Sequence, residues 1–222
     1  MRILVISAHP DDETLGCGGT LLKHRAAGDA LFWMVTTEAY EPKWSAEAIR
    51  AKAREVEAVA KAYGVSAVHA LGFPTARLDT VPQAELIERM QRVVAEVKPE
   101  VIYCVHEGDV HTDHRAVFAA ISSVLKPMHM ARYGVRRLLS YETLSSTDAA
   151  PPLEDRMFRP AVFSDVTSQI ERKLEIMALY QTERQPYPMP RAQESIRALA
   201  RYRGATIGIE YAEALMLCRE IL

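Results

Sequence analysis

His9-Pro10-Asp11-Asp12-Glu13 puts one imidazole and three carboxylates into five consecutive residues. Neighbouring side chains on a turn point in different directions. One carboxylate can therefore bind a metal ion while the next faces the position that the ion leaves open. A second cluster, Asp109-Val110-His111-Thr112-Asp113-His114, adds two imidazoles three residues apart. That spacing sets His111 and His114 on neighbouring positions of one helical turn. Asp113, between them, can accept a proton from one imidazole, fixing its tautomer and raising its basicity. The two clusters together supply His, Asp and His. Two imidazoles and one carboxylate, with a fourth position left for water, form the donor set of a catalytic zinc site. The same donors suit iron(II) or another divalent ion. Asp11 and Asp12 alone would also serve as acids at a helix start. The second cluster of complementary ligand types is what points to a metal.

Both clusters need the same kind of support, a strand that delivers them and a helix that they open. Arg2–Ser7 is a short apolar run that reads as a buried strand, followed by a helix over Thr14–Gly28. Ala30–Thr36 reads as a second strand. From Lys43 to Tyr63 the apolar positions, Ala46 to Tyr63, step by 3, 4, 3, 4, 3, one face of a helix that Gly64 closes. The unit repeats as strand Ala67–Leu71, helix Pro82–Lys98, strand Val101–Val105 and a helix after His111. Continuous apolar strands alternating with helices predict an α/β fold, a mainly parallel sheet covered by helices on both faces. In such sheets ligands bind outside the carboxyl ends of the strands, where both clusters fall. Past Lys126 the rhythm weakens. Leu138–Glu142 and Val162–Val166 read as strands, Thr167–Tyr180 and Glu194–Tyr202 as helices, and the proline-rich Gln185–Arg191 as a loop. The C-terminus is mixed. The reading is a single domain over residues 1–222, with no repeat and no linker.

The 222 residues carry 27 Lys plus Arg against 29 Asp plus Glu, a formal charge of −2. That balance gives no electrostatic reason to expect a nucleic-acid partner. Three widely spaced cysteines, Cys17, Cys104 and Cys218, do not make a disulfide framework. No apolar run approaches the roughly 20 residues needed to span a bilayer. A cytoplasmic protein is expected, and nothing in the sequence argues against a homo-oligomer. Gly16, Gly18 and Gly19 allow close backbone approach but do not form G-x-G-x-x-G, so a dinucleotide site is not supported.

The segments His9–Glu13 (HPDDE), Leu15–Thr20 (LGCGGT) and His111–His114 (HTDH) resemble the LmbE/PIG-L family of zinc-dependent N-deacetylases. Leu71–Leu78, Asp79–Gln83, Tyr141–Ser146, Phe163–Val166 and Ala212–Leu215 extend the likeness almost over the whole chain. The resemblance implies a Rossmann-like fold without a dinucleotide and hydrolysis of N-acetyl groups, typically on N-acetylglucosamine units. Position by position, it implies His9, Asp12 and His114 as zinc ligands, one ion per chain, and Asp11 as general base. It implies His111 as the group that holds the tetrahedral intermediate, with Asp113 as its carboxylate partner. Two positions depart from the pattern. Thr112 stands where many members have proline, and Asp109 where some sugar-thiol deacetylases have tyrosine, which leaves the oxyanion to the metal and a protonated His111.

The expected reaction is removal of acetate from an N-acetylhexosamine-type substrate, a sugar, nucleotide-sugar or glycoconjugate. Arg50 or Arg54, on the helix after the second strand, and Arg191, after the proline loop, are candidate substrate contacts. The proline loop is a candidate lid. An amidase for another N-acyl group, or a sugar- or nucleotide-binding module without catalysis, are the competing readings. Asp11 and His111 argue against the last, since a binding module needs neither.

Overall fold

The computed structural model describes residues 1–154 and 156–222. Among them, seven strands form one sheet: β1 (Arg2–Ser7), β2 (Ala30–Glu38), β3 (Ala67–Pro74), β4 (Val101–Val105), β5 (Arg137–Tyr141), β6 (Val162–Asp165) and β7 (Ala212–Glu220). They run in the order β3-β2-β1-β4-β5-β7-β6. The first five are mutually parallel, and β7 lies antiparallel between β5 and β6. The same described residues form seven α-helices: α1 (Asp12–Ala26), α2 (Ala46–Tyr63), α3 (Gln83–Val97), α4 (Thr112–Val124), α5 (Pro127–Tyr133), α6 (Ile170–Met177) and α7 (Gln193–Ala205).

The centre of the sheet explains the continuous apolar runs. Ile3–Ile6 on β1 and every residue of β4 are buried, which requires cover on both faces. α1 packs on α2 and α6, while α3 packs on α4. α2 starts where Ser45 Oγ accepts the Ala48 N–H and stops at Gly64, whose φ of 67° suits glycine. Among the described residues no helix is long and apolar enough to cross a membrane.

The chain leaves β1 for β2 on one side and returns to β4 on the other. This reversal opens a crevice at the carboxyl ends of β1 and β4. α1 and α4 begin there, so their first turns bring the two clusters together. α1 is not a regular helix. It bends at Cys17 (φ −142°) and comes close to the core. A Cβ on Gly16 would sit 2.0 Å from the Tyr141 ring, and one on Gly19 2.7 Å from Val166. The glycines admit core side chains against the helix.

Two elements go beyond the sequence reading. The C-terminus forms β7, nine residues long, and α5 is a short helix with Pro127 at its start. The three cysteines are free.

A candidate metal and hydrolysis site

His9 lies two residues beyond β1, and His114 on the first turn of α4. Each imidazole is held by a carboxylate through one nitrogen. His9 Nε2 lies 2.9 Å from Asp113 Oδ2, and His114 Nδ1 lies 3.0 Å from Asp109 Oδ2. With those nitrogens donating, the lone pairs are on His9 Nδ1 and His114 Nε2. These two atoms face each other at 3.3 Å. Asp12 closes the group, with Oδ1 3.4 Å from His114 Nε2 and Oδ2 3.6 Å from His9 Nδ1. Four donors at 2.0–2.1 Å from a tetrahedral ion lie about 3.3 Å apart. The three donors therefore have the spacing of a divalent-metal site, in which a metal ion or a proton must stand between the two ring nitrogens. The nitrogens of His9, His111 and His114 also fall within 4.8 Å of one another, a looser set.

The charges act in the same sense. Burial disfavours the His114 imidazolium, but Asp12 and Asp109 outweigh it and push the pKa up to about 10. Burial would raise Asp12, and His114 and His9 instead hold its carboxyl well below the usual range. A proton and a metal ion would compete for the same nitrogen.

Asp109 anchors this half of the site. Its Oδ2 accepts from Ser146 Oγ and Thr147 Oγ1 as well as from His114, and its Oδ1 accepts the His111 N–H. Sequence reasoning treats Asp109 only as a departure from a family pattern. Its position five residues before His114, inside the second cluster, is the signal that could have found it. Glu13 is a second residue to which the sequence assigns no role. It is buried, accepts from the hydroxyls of Thr14 and Tyr180 at 2.6 and 2.7 Å, and accepts the Asp11 N–H at 3.2 Å. Burial pushes its pKa up to about 7.

Asp11 caps α1 with a left-handed backbone, φ 111°. Such strain at a non-glycine residue is typical of functional positions. Its Oδ2 is buried and lies 2.9 Å from Arg191 Nη1. That contact is an ion pair without hydrogen-bond geometry, so the oxygen accepts no hydrogen bond among the described residues. Burial raises the Asp11 pKa well above the carboxylate range, against the pull of Arg191.

Two expectations are revised. Asp113 does not serve His111. Its Oδ2 accepts the Ala76 N–H (2.6 Å) and binds His9, and its Oδ1 accepts the Leu78 N–H (3.1 Å), so the carboxylate is aimed at His9. The surroundings of His111 also favour its neutral form over the expected cation. Its Nδ1 accepts the Asp113 N–H at 3.2 Å, and burial together with the His9 and His114 charges lowers its pKa to about 4. The neutral ring then carries its proton on Nε2. Of the arginines, Arg191 reaches the site and also binds Glu183 at 2.6 Å. Arg50 and Arg54 are exposed on α2, and among the described residues no hydrogen bond or ion pair brings either to the cluster.

Residues 4–125, more than half of the chain, match the family described as PIG-L, GlcNAc-PI de-N-acetylase. A relative named diacetylchitobiose deacetylase, from Thermococcus kodakarensis, is 24% identical over 96% of this chain and 82% of its own length. One from Bacillus anthracis, named "Probable N-acetyl-alpha-D-glucosaminyl L-malate deacetylase 2", is 21% identical over 82% of this chain and 81% of its own. Among solved structures, the conserved protein TT1542 from Thermus thermophilus superposes with a TM-score of 0.80 at 25% identity, covering 100% of this chain and 96% of that one. With the paired clusters at the β1 and β4 ends, the match places this chain in the PIG-L family of de-N-acetylases.

Proposed function

We propose that the protein is a metal-dependent N-deacetylase that hydrolyses the acetamide of an N-acetylhexosamine-type substrate to a free amine and acetate. The observation that carries this reading is the convergence of His9 Nδ1, Asp12 and His114 Nε2 at 3.3–3.6 Å beside the buried, strained Asp11. The names of the relatives support the substrate class.

His9, Asp12 and His114 would hold one divalent ion, with zinc the best fit to two imidazoles and a carboxylate. The ion would polarise the amide carbonyl and lower the pKa of a water molecule. Asp113 and Asp109 fix the two imidazoles with their free nitrogens inward. Asp11 takes the proton of the attacking water as the new C–O bond forms. Its raised pKa suits it to keep that proton and pass it to the nitrogen when the C–N bond breaks. His111 offers its neutral Nε2–H to the carbonyl oxygen as negative charge develops. Arg191, next to Asp11, is a substrate contact in this reading, and the proline loop that precedes it is the lid. The whole chain serves as one catalytic unit, since the sheet draws strands from both ends.

Acetate release tests the reaction. The purified protein, loaded with zinc, is incubated with a panel of N-acetylated sugars and N-acyl amines. Acetate from a sugar, abolished by a chelator and restored by zinc, is expected. Turnover confined to the non-sugar amides would make it an amidase of another class. Saccharide binding without any turnover would make it a binding module.

A further inference from the structure

We propose that a cavity at the amino edge of the sheet, built around Tyr103, Lys23 and Arg136, is a second binding site that takes an organic anion, a carboxylate or phosphate monoester on an apolar body. The cavity has a volume of about 600 Å³ and opens to solvent. Val101, the first residue of β4, and Arg137, the first of β5, both line it. His9 and His114 lie past the other ends of β1 and β4. Those strands are six and five residues long, so about 17–20 Å of sheet separates the cavity from the hydrolysis site.

A hydrogen-bonded relay leads into the cavity. His24 stands in the last turn of α1. Its Nδ1 lies 2.7 Å from Asp29 Oδ2 and its Nε2 2.9 Å from the Tyr103 hydroxyl. Burial pushes the Tyr103 phenol up, so the hydroxyl keeps its proton. With Nδ1–H on Asp29, Nε2 of the neutral ring accepts from that hydroxyl. When Nε2 also carries a proton, the tyrosine oxygen accepts instead and its O–H is released to a ligand.

Each carboxylate side chain on the cavity has a partner, and two of its cations have none. Asp29 serves His24 and the Met1 ammonium, Glu220 pairs with Arg137, and Glu100 accepts the Arg2 N–H. Lys23 Nζ reaches only a hydroxyl, Ser164 Oγ at 3.3 Å. Asp165 is the acid that feels Lys23, after Thr167, and it makes no ion pair with it. Among the described residues no carboxylate pairs with Lys23 or Arg136, and both line the cavity. Leu139, Leu215 and Phe163 supply apolar wall. A concave, largely apolar space of 300–1,000 Å³ with a few convergent polar groups is the usual form of a small-molecule site. Here the convergent groups are an ammonium, a guanidinium and a phenol, all donors suited to an oxyanion. A network that only fastened α1 to the sheet would need neither the space nor the unpaired cations.

Calorimetry tests the site. Zinc-loaded protein is titrated with benzoate, phenyl phosphate and benzyl alcohol, the last keeping the ring without the charge. At least one anion should bind and the alcohol should not, and the anion that binds tells carboxylate from phosphate. Tyr103→Phe and Lys23→Met should each weaken that binding about tenfold or more, the scale of a hydrogen bond to a charged group, while Lys23→Arg stays close to wild type. Lys23 is only half-buried, so Lys23→Met carries the test if Tyr103→Phe does not fold. An affinity that Lys23→Met, or a folded Tyr103→Phe, leaves unchanged puts the anion elsewhere, the hydrolysis site included, and overturns the proposal. So does equal binding of benzyl alcohol, or binding of neither anion. None of these readings uses turnover, so the test stands apart from the deacetylase reading.

Discussion

α1 carries two buried carboxylate clusters, and they are built in opposite ways. Glu213, reaching in from β7, meets the middle of the helix. It accepts the N–H groups of Gly19 and Thr20, the Thr20 hydroxyl and the Lys173 ammonium, all at 2.6–2.8 Å. Lys173 also donates to the Leu15 carbonyl. Each charge has its partner. At the start of the same helix, Asp11 has an oxygen without a hydrogen bond and a left-handed backbone, and the ring nitrogens of His9 and His114 crowd together at 3.3 Å beside Asp12. Native folds pair their buried polar groups almost without exception. A cluster that leaves some unpaired is holding them for something that binds or reacts. The satisfied cluster fixes the position of α1, and the unsatisfied one uses that position.

The contrast predicts that the two clusters fail differently. Asp11→Asn keeps the shape of the side chain but cannot take up the water proton. Its kcat should fall by about 10²–10⁴-fold, while zinc content stays and stability is unchanged or raised, since a poorly satisfied buried charge has gone. Wild-type turnover would reduce Asp11 to a helix-start acid. Lys173→Met should do the reverse. It leaves the Glu213 charge buried without its cation, a loss of about 3–5 kcal/mol, read as a lower midpoint in urea unfolding. A loss below about 1 kcal/mol would mean that the pair does not secure α1. The smallest effect belongs to Asp109→Asn. The amide oxygen can still accept from His114 Nδ1, but the charge is gone. Zinc affinity should fall by about 10–100-fold, measured by competition with a chelator. An unchanged affinity would leave Asp109 as a loop anchor for Ser146 and Thr147.

The same contrast separates what the sequence makes legible from what it hides. Central strands such as Ile3–Ile6 and Val101–Val105 read clearly because they are apolar on both faces. β7 does not. It packs between β5 and β6 with the buried Glu213 near its start and half-exposed residues from Met216 onward, so neither a continuous run nor a clean alternation appears. Both chemical clusters are visible because each is contiguous in sequence. The pairings inside them are not, because partners cross between clusters: His9 binds Asp113, 104 residues away. Spacing leaves open which imidazole Asp113 serves, and the family resemblance pairs it with His111. The Lys173–Glu213 pair gives no signal, since two single charges 40 residues apart look like ordinary surface residues.

Metal content tests the central claim most directly. Wild-type protein and the variants His9→Ala, Asp12→Ala, His114→Ala and His111→Ala are dialysed against zinc, freed of excess ion and assayed by elemental analysis. One zinc per chain is expected in the wild type and in His111→Ala, whose ring lies outside the tight donor set, and loss of zinc in the other three. Full occupancy in His9→Ala, Asp12→Ala and His114→Ala, or a loss in His111→Ala as complete as in His9→Ala, would contradict the assignment.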